Sequence, residues 1–221
     1  MNNKIKKENK GFTLVELIVV LVILAILAAI LVPTLLGYID KARGRKDVMT
    51  AEAYKQACQS VLSKLYGLEE NPNYDFHNAL ISSDSTSYTW DTDYRKEILK
   101  LVGEASPDKI DSDGPNKYEP YVIIYQVGRY PVYKGTDNEK YAYTVFNVYY
   151  QKEQSSELII LTQDGVQSVQ EFAADRSAGK NGGRDWVIYN GEKVQTVVYC
   201  GEIHAGSPTE ILGKIENGTY Q

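Results

Sequence analysis

One uninterrupted apolar run, Leu17–Val32, follows a polar leader of residues 1–11. After this run, the apolar residues recur at steps of three and four positions, as they do on one face of a helix. This stripe consists of Val48, Ala51, Tyr54, Cys58, Val61 and Leu65. The pattern predicts one long helix over Phe12–Tyr66, ended by Gly67. Its first half is apolar on all sides, and its second half is amphipathic.

The rest of the chain favours strands after a short helical stretch. Asp91–Val102 predicts a second helix, and residues 103–119 predict a polar loop. Beyond them, β-branched and aromatic residues alternate with polar ones. The predicted strands are Tyr121–Val127, Tyr141–Gln151, Leu158–Thr162, Val166–Glu171, Trp186–Tyr189 and Lys193–Tyr199. The predicted fold class is therefore α+β, with the long helix packed on a C-terminal antiparallel sheet.

Two dipeptides predict tight hairpins between neighbouring strands. Asp164-Gly165 joins the third strand to the fourth, and Asn190-Gly191 joins the fifth to the sixth. The second strand, Tyr141–Gln151, is apolar on both sides, which predicts a central place in the sheet. Ala173–Gly183 predicts a flexible loop.

Charge separates the leader from the rest of the chain. The net charge is −5 over 221 residues, and the four lysines and one glutamate of the leader contribute +3. A chain that begins at Phe12 therefore carries −8. This acidic balance argues against strong nonspecific binding to nucleic acid.

A carboxylate stands near the start of the apolar segment. Leu14–Leu36 would form about 35 Å of helix, which is long enough to cross a bilayer. Glu16 would lie inside that span, where an unpaired charge costs several kcal/mol, so it predicts a function. A cleaved secretory signal has a shorter apolar core with a small-x-small site behind it. Neither feature is present, and a plain signal anchor would have no need of Glu16.

The run Lys10-Gly11-Phe12-Thr13-Leu14-Val15-Glu16 resembles the signal sequence of type IV pilins and pseudopilins. The resemblance covers about the first 50 residues. It implies cleavage by a prepilin peptidase between Gly11 and Phe12, and methylation of the new N-terminus at Phe12. Glu16 would pair with the Phe12 ammonium of a neighbouring subunit during assembly, and the helix would bend or melt at Pro33.

The resemblance also implies an organisation and a set of partners. Residues 1–11 would be the leader, 12–36 the transmembrane and filament-core half of the helix, 37–66 its amphipathic half, and 67–221 the extracytoplasmic α+β domain. The precursor would cross the cytoplasmic membrane once, with its N-terminus in the cytoplasm. An assembly ATPase and platform proteins would drive it into an extracellular or cell-envelope filament of many subunits.

Three roles remain open at this stage. A pilus subunit would serve adhesion or motility, whereas a pseudopilin would serve type II secretion or DNA uptake. From another class, a membrane-anchored extracellular binding protein would never polymerise. Pro33 and the long C-terminal domain favour the pilin.

Two cysteines, Cys58 and Cys200, leave two alternatives open. An exported protein could bridge them in one disulfide. Alternatively, both are buried thiols that act as small apolar side chains. The disulfide-bounded C-terminal loop of many pilins does not fit a pairing so distant in sequence.

The sequence shows no catalytic pattern, so we expect no enzyme and no cofactor. His77 and His204 lie in loop-like contexts without a second ligand nearby. Asp108, Asp111 and Asp113 form a calcium-ligand candidate, but no glutamate closes the loop as in an EF-hand. An ordinary polar turn is the alternative.

Two surface features complete the sequence expectations. The 18 tyrosines suit half-exposed positions on the sheet, either as ordinary strand residues or as an adhesive aromatic surface. Asn217-Gly218-Thr219 matches a glycosylation sequon, and the tail that contains it is expected to be frayed.

Overall fold

In the computed structural model, the chain is described over residues 12–67, 93–103, 120–129, 139–203 and 208–220. It divides into two compact units, Met1–Arg45 and Lys46–Gln221. Helix α1, Leu14–Gly67, contributes to both. The helix thus ends at the predicted glycine.

The described part of the first unit is the apolar portion of α1. Every residue from Phe12 to Arg45 is exposed, although the stretch is rich in Leu, Ile and Val. Pro33 lies inside the helix, which continues through it. The neighbouring Thr34 hydroxyl donates to the carbonyl oxygen of Ile30 at 3.1 Å. The bend predicted at Pro33 stays a prediction.

The second unit combines the rest of α1 with short helices and strands. Its other helices are α2 (Asp93–Val102), α3 (Val169–Ser177) and α4 (Pro208–Glu216). Its strands are β1 (Val122–Gly128), β2 (Val145–Gln151), β3 (Ile159–Thr162), β4 (Gly165–Gln167), β5 (Trp186–Tyr189) and β6 (Glu192–Ile203). The predicted α+β class is confirmed.

The six described strands form one antiparallel sheet in the order β4-β3-β2-β1-β6-β5. β1 and β2 lie at the centre, and every residue of both is buried. The central place predicted for the second strand is confirmed. That strand is shorter than predicted, because Glu139–Tyr141 forms a 3₁₀ turn ahead of it.

The first face of the sheet packs on α1 and α2. The predicted stripe is confirmed, since Ala51, Tyr54, Cys58, Val61 and Leu65 are buried on this face. They contact a layer of side chains from the sheet. That layer includes Ile123, Tyr125, Val127, Val145, Val148, Tyr150, Leu161 and Tyr199.

Two polar side chains of α1 also bind the sheet at an irregularity in β2. The register between β1 and β2 shifts beside Gln126, which leaves Phe146 without a partner in β1. Lys55 Nζ donates to the Phe146 carbonyl oxygen at 3.1 Å. Gln59 donates to the Tyr143 carbonyl oxygen at 2.6 Å and accepts from the Val145 amide at 3.0 Å. Gln59 therefore contacts the sheet through its side chain.

The second face of the sheet is covered by α3 and α4. Apolar side chains of both helices pack there with the other side of the sheet, and these are Val169, Phe172, Ile211, Leu212, Ile215, Val122, Ile124, Tyr149, Leu158 and Ile160. Tyr220 joins this cluster, and its hydroxyl donates to Gln151 Oε1 at 2.6 Å. The sheet is therefore buried on both faces.

Gln126 is a fully buried polar residue in β1. Its Nε2 donates to the Gly183 carbonyl oxygen and to Thr196 Oγ1, both at 2.8 Å. Its Oε1 accepts from Asn147 Nδ2 at 2.8 Å and from the Tyr149 hydroxyl at 2.9 Å. All four hydrogen-bonding positions of the amide are used, as burial demands.

The predicted strand Val166–Glu171 is wrong in its second half. β4 ends at Gln167, and α3 begins two residues later. Ser168 and Glu171 form a capping box: Ser168 N donates to Glu171 Oε2 at 2.8 Å, and Glu171 N donates to Ser168 Oγ at 3.3 Å. The same helix replaces the first part of the predicted loop Ala173–Gly183.

The expectation of a frayed C-terminal tail is also wrong over the described residues. Gly218 has a φ of 69°, and its amide donates to the Ile215 carbonyl oxygen at 3.0 Å. Thr219 N donates to the Lys214 carbonyl oxygen at 2.8 Å, and these bonds close α4 in a glycine C-cap. The buried Tyr220 then anchors the tail on the sheet.

Both predicted hairpins are present. Asn190 and Gly191 have φ values of 51° and 78°, the left-handed pair that a two-residue turn requires. In the other hairpin Thr162 pairs with Gly165, so the turn residues are Gln163 and Asp164 rather than Asp164 and Gly165.

Gln126→Leu should lower the free energy of unfolding of the unit 46–221 by about 2–4 kcal/mol. The substitution leaves buried donors and acceptors of Asn147, Tyr149 and Gly183 without a partner. Urea unfolding measures the loss. Gln195→Leu is the matched control, since Gln195 is exposed on β6 and its replacement should change stability by only about 0.5 kcal/mol. Equal stability of both variants would contradict the role of the buried amide.

Candidate functional site

The N-terminus of α1 is capped by the side chains of Thr13 and Glu16. Thr13 precedes the first helical residue, Leu14. Thr13 N donates to Glu16 Oε2 at 2.8 Å, and Thr13 Oγ1 donates to the same oxygen at 2.7 Å. In return, Glu16 N donates to Thr13 Oγ1 at 3.3 Å. This reciprocal arrangement is a capping box, in which a threonine and a glutamate satisfy free amides of the first turn.

The capping box places the one carboxylate of the apolar stretch at the positive end of the helix dipole. A negative charge is favourable there. Within the described residues, the hydrogen bonds of the Glu16 carboxylate come from Thr13, so a cut between Gly11 and Phe12 would leave the box intact. Phe12 itself is 86 % exposed. Glu16 therefore has a partner within its own chain, before any neighbouring subunit arrives.

The apolar surface that follows this cap has no cover within the chain. By length and composition, α1 is the one helix of the described ranges that could cross a membrane, over Leu14–Tyr66. No residue of its most apolar stretch is buried. Burial of such a surface is worth roughly 25 cal/mol per Å². A bilayer or the apolar helices of other subunits could supply that cover.

The comparisons with known proteins match this same region. The family model for the prokaryotic N-terminal methylation motif matches residues 6–32. Comparison with curated proteins and with solved structures finds no match for the chain.

These findings define a class of protein. The motif, the long apolar helix and the C-terminal antiparallel sheet are those of a type IV pilin-like precursor. The chain carries a prepilin-type N-terminal cleavage and methylation segment, and its helix fits a membrane-anchored precursor.

The other predicted sites divide into described and undescribed residues. Gly11, both histidines and the calcium candidates Asp108, Asp111 and Asp113 lie outside the described residues. No cluster of metal-ligating side chains occurs within the ranges that the structure describes. The predicted roles of these residues stay predictions.

The disulfide prediction has no support from the structure. The Cys58 thiol is free and buried on the first face of the sheet. The backbone of Cys200 pairs with that of Ile124 in β1. The bridge between Cys58 and Cys200 therefore stays a prediction.

Several of the described tyrosines lie deeper than predicted, whereas Tyr121, Tyr141, Tyr143 and Tyr189 are half-buried as predicted. Five tyrosines are among the largest fully buried side chains of the described part, and these are Tyr54, Tyr125, Tyr149, Tyr150 and Tyr199. They are core residues of the sheet and of α1 rather than half-exposed surface residues. The reading of tyrosines as ordinary strand residues fits them better than an adhesive surface does.

Thr13 is the functional residue that the sequence reasoning missed. The signal was present, because Thr13-Leu14-Val15-Glu16 has the threonine-x-x-glutamate spacing of a capping box before an apolar run. The cost of a buried charge at Glu16 indicated a role in assembly, whereas the same spacing also predicts a helix cap with Thr13.

The two cysteines should behave as free thiols. Burial raises the pKa of the Cys58 thiol, so we expect slow maleimide labelling of Cys58 in the folded chain. After unfolding, both cysteines should be labelled equally with and without reductant, as mass spectrometry can show. The Cys200→Ser variant assigns the slow site to Cys58. Labelling that needs reductant would establish the bridge and contradict the free thiol.

Proposed function

We propose that this protein is a structural subunit of a type IV pilus-like filament. A prepilin peptidase would cleave it after Gly11 and methylate Phe12. The subunit would then wait in the cytoplasmic membrane until an assembly ATPase and its platform draw it into the filament. The observation that carries the proposal is the exposed apolar helix that begins with a single capped carboxylate.

The geometry at Glu16 supports a role in assembly. Cleavage after Gly11 would create an ammonium on Phe12, four residues before Glu16. Opposite charges attract strongly in an apolar medium, and each offsets the desolvation of the other. The capping box holds the Glu16 carboxylate at the end of the helix, where the ammonium of a neighbouring subunit could reach it.

Self-association also accounts for the exposed apolar surface. The first unit has no core of its own among its described residues. Its apolar side chains would leave lipid only if helices of other subunits bury them. A protein that never polymerises would use the carboxylate only as a helix cap.

A pseudopilin of a secretion or DNA-uptake system is the second candidate. It would share the cleavage, the methylation and the apolar helix. We favour the pilus because the second unit is large and has its own core on both faces of the sheet.

Gly11→Leu should leave the leader attached. A bulky side chain at the residue before the cut would block the peptidase, while the neutral substitution Asn9→Gln should be processed normally. Mass spectrometry of the N-terminal peptide, from protein sheared off intact cells, should find methylated Phe12 in the parent chain. The Gly11→Leu chain, isolated from the membrane fraction, should begin at Met1. Trimming of that variant to Phe12 would contradict the peptidase assignment.

Glu16→Gln should separate the charge of Glu16 from its capping role. Glutamine can still accept the hydrogen bonds of a capping box. It cannot pair with an ammonium, and an uncompensated buried charge costs about 3–5 kcal/mol per subunit. We therefore expect normal insertion into the membrane but loss of filaments from the sheared fraction, as for Glu16→Ala.

Two controls complete this experiment. Thr13→Ala weakens the cap by about 1 kcal/mol but keeps the charge, and it should still assemble. Glu52→Gln changes an exposed glutamate of the same helix and should give normal filament yield. A normal filament yield from Glu16→Gln would contradict the charge-pairing role. Loss of filaments from Thr13→Ala but not from Glu16→Gln would show that assembly depends on the helix cap.

A further inference from the structure

Three cations follow the apolar stretch of α1 within about three turns. Lys41, Arg43 and Arg45 are exposed, and they make no ion pair within the described residues. Asp40 and Asp47 flank these cations, and the exposed Lys46 lies between Arg45 and Asp47. We call these three cations the basic collar.

Among the described residues of the second unit, six cations form ion pairs, whereas exposed lysines such as Lys46 and Lys152 form none. The pairs are Lys64 with Glu97, Lys140 with Glu192, Arg176 with Glu216, Lys180 with Asp175, Arg184 with Asp185 and Lys214 with Glu210. The basic collar has no such acidic partner within the described residues, so its charge is available for an external anion.

The position of the basic collar matches the headgroup layer of a bilayer. Leu14–Leu36 is about as long as the hydrocarbon core is thick, and the headgroups add about 5–7 Å on each side. Lys41 follows Leu36 by about 7 Å of helix and Arg45 by about 13 Å. Lysine and arginine side chains can reach back toward the interface over such distances.

An aromatic residue marks the same level. Tyr38 is 68 % exposed and lies between Leu36 and the basic collar. Tyrosine is enriched at the boundary between hydrocarbon and headgroups. Apolar span, interfacial tyrosine and exposed cations thus follow one another in the order of the bilayer layers.

We propose that the basic collar binds the phosphate groups of anionic phospholipids while the subunit waits in the membrane. This inference rests on the proposed membrane-anchored state, and it assigns a lipid class to that state. Each cation near an anionic surface favours association about fivefold, which corresponds to about 1 kcal/mol. The preference should weaken as salt screens the charges.

Quenching by brominated lipids can measure this preference on the full chain in vesicles. Tyr38→Trp supplies a reporter at the interface, and the signal of the parent chain, with its two tryptophans, is subtracted. Brominated phosphatidylglycerol is compared with brominated phosphatidylcholine in otherwise identical vesicles. We expect at least about fivefold stronger association of the anionic lipid, reduced by added salt.

Matched charge variants assign the effect. Lys41→Gln with Arg43→Gln and Arg45→Gln should abolish the preference. Lys140→Gln with Lys180→Gln and Lys214→Gln removes the same charge from exposed residues that already have acidic partners, and it should retain the preference. A preference for the anionic lipid that survives loss of the basic collar would overturn the inference. So would the absence of that preference from the Tyr38→Trp chain with the basic collar intact. Competition by soluble inorganic phosphate would also overturn it, since the site would then recognise free phosphate rather than lipid.

A separate readout tests the anchored state on which the inference rests. The same vesicles are washed in high salt and floated on a density gradient. Flotation with equal quenching by both lipids would overturn the basic collar alone. Loss of the chain from the vesicles would overturn the membrane anchor of the proposed function.

Discussion

The packing of α1 on the first face of the sheet is the interaction on which the second unit depends. Apolar residues from Ala51 to Leu65 supply one side of that core. Lys55 and Gln59 then fix the helix to the start of β2 through its backbone. Burial lowers the pKa of the Lys55 amine, so this contact carries a desolvation cost that the carbonyl oxygen must offset. The three hydrogen bonds of Lys55 and Gln59 select one register between helix and sheet, which apolar contacts alone specify less sharply.

The two ends of α1 differ in which side chains they expose. Toward its C-terminus, the helix hides its apolar side chains and exposes polar ones, as in any globular protein. Toward its N-terminus, apolar side chains are exposed on every side, and the cap is the polar feature. Folding of one chain buries the apolar side chains of the C-terminal part. Those of the N-terminal part can be buried only by lipid or by other chains, which is the physical reason to expect a filament from a subunit of this kind.

Long-period patterns predicted most of the fold, and local side-chain chemistry caused most of the errors. The stripe of α1, the central strand and the Asn190-Gly191 turn depend on spacing that is visible in the sequence. The strand predicted through Glu171 failed because Ser168 and Glu171 cap a helix there. The same threonine-or-serine-x-x-glutamate spacing at Thr13 and Glu16 was overlooked in the candidate site. The docked tail could not be predicted, because the contact of Tyr220 with Gln151 joins residues far apart in the chain.

The tyrosine-rich core sets an alkaline limit for the second unit. Burial raises the pKa of the Tyr149 and Tyr199 phenols, and that of Tyr220 to about 12. In the unfolded chain these phenols ionise near pH 10. The free energy of unfolding therefore falls as the pH rises above about 10, because the unfolded state releases its phenolic protons first. Strong alkali would therefore unfold the second unit, because ionisation of its buried phenols favours the unfolded state. Tyr38, the tyrosine in the described part of the first unit, is already exposed to solvent.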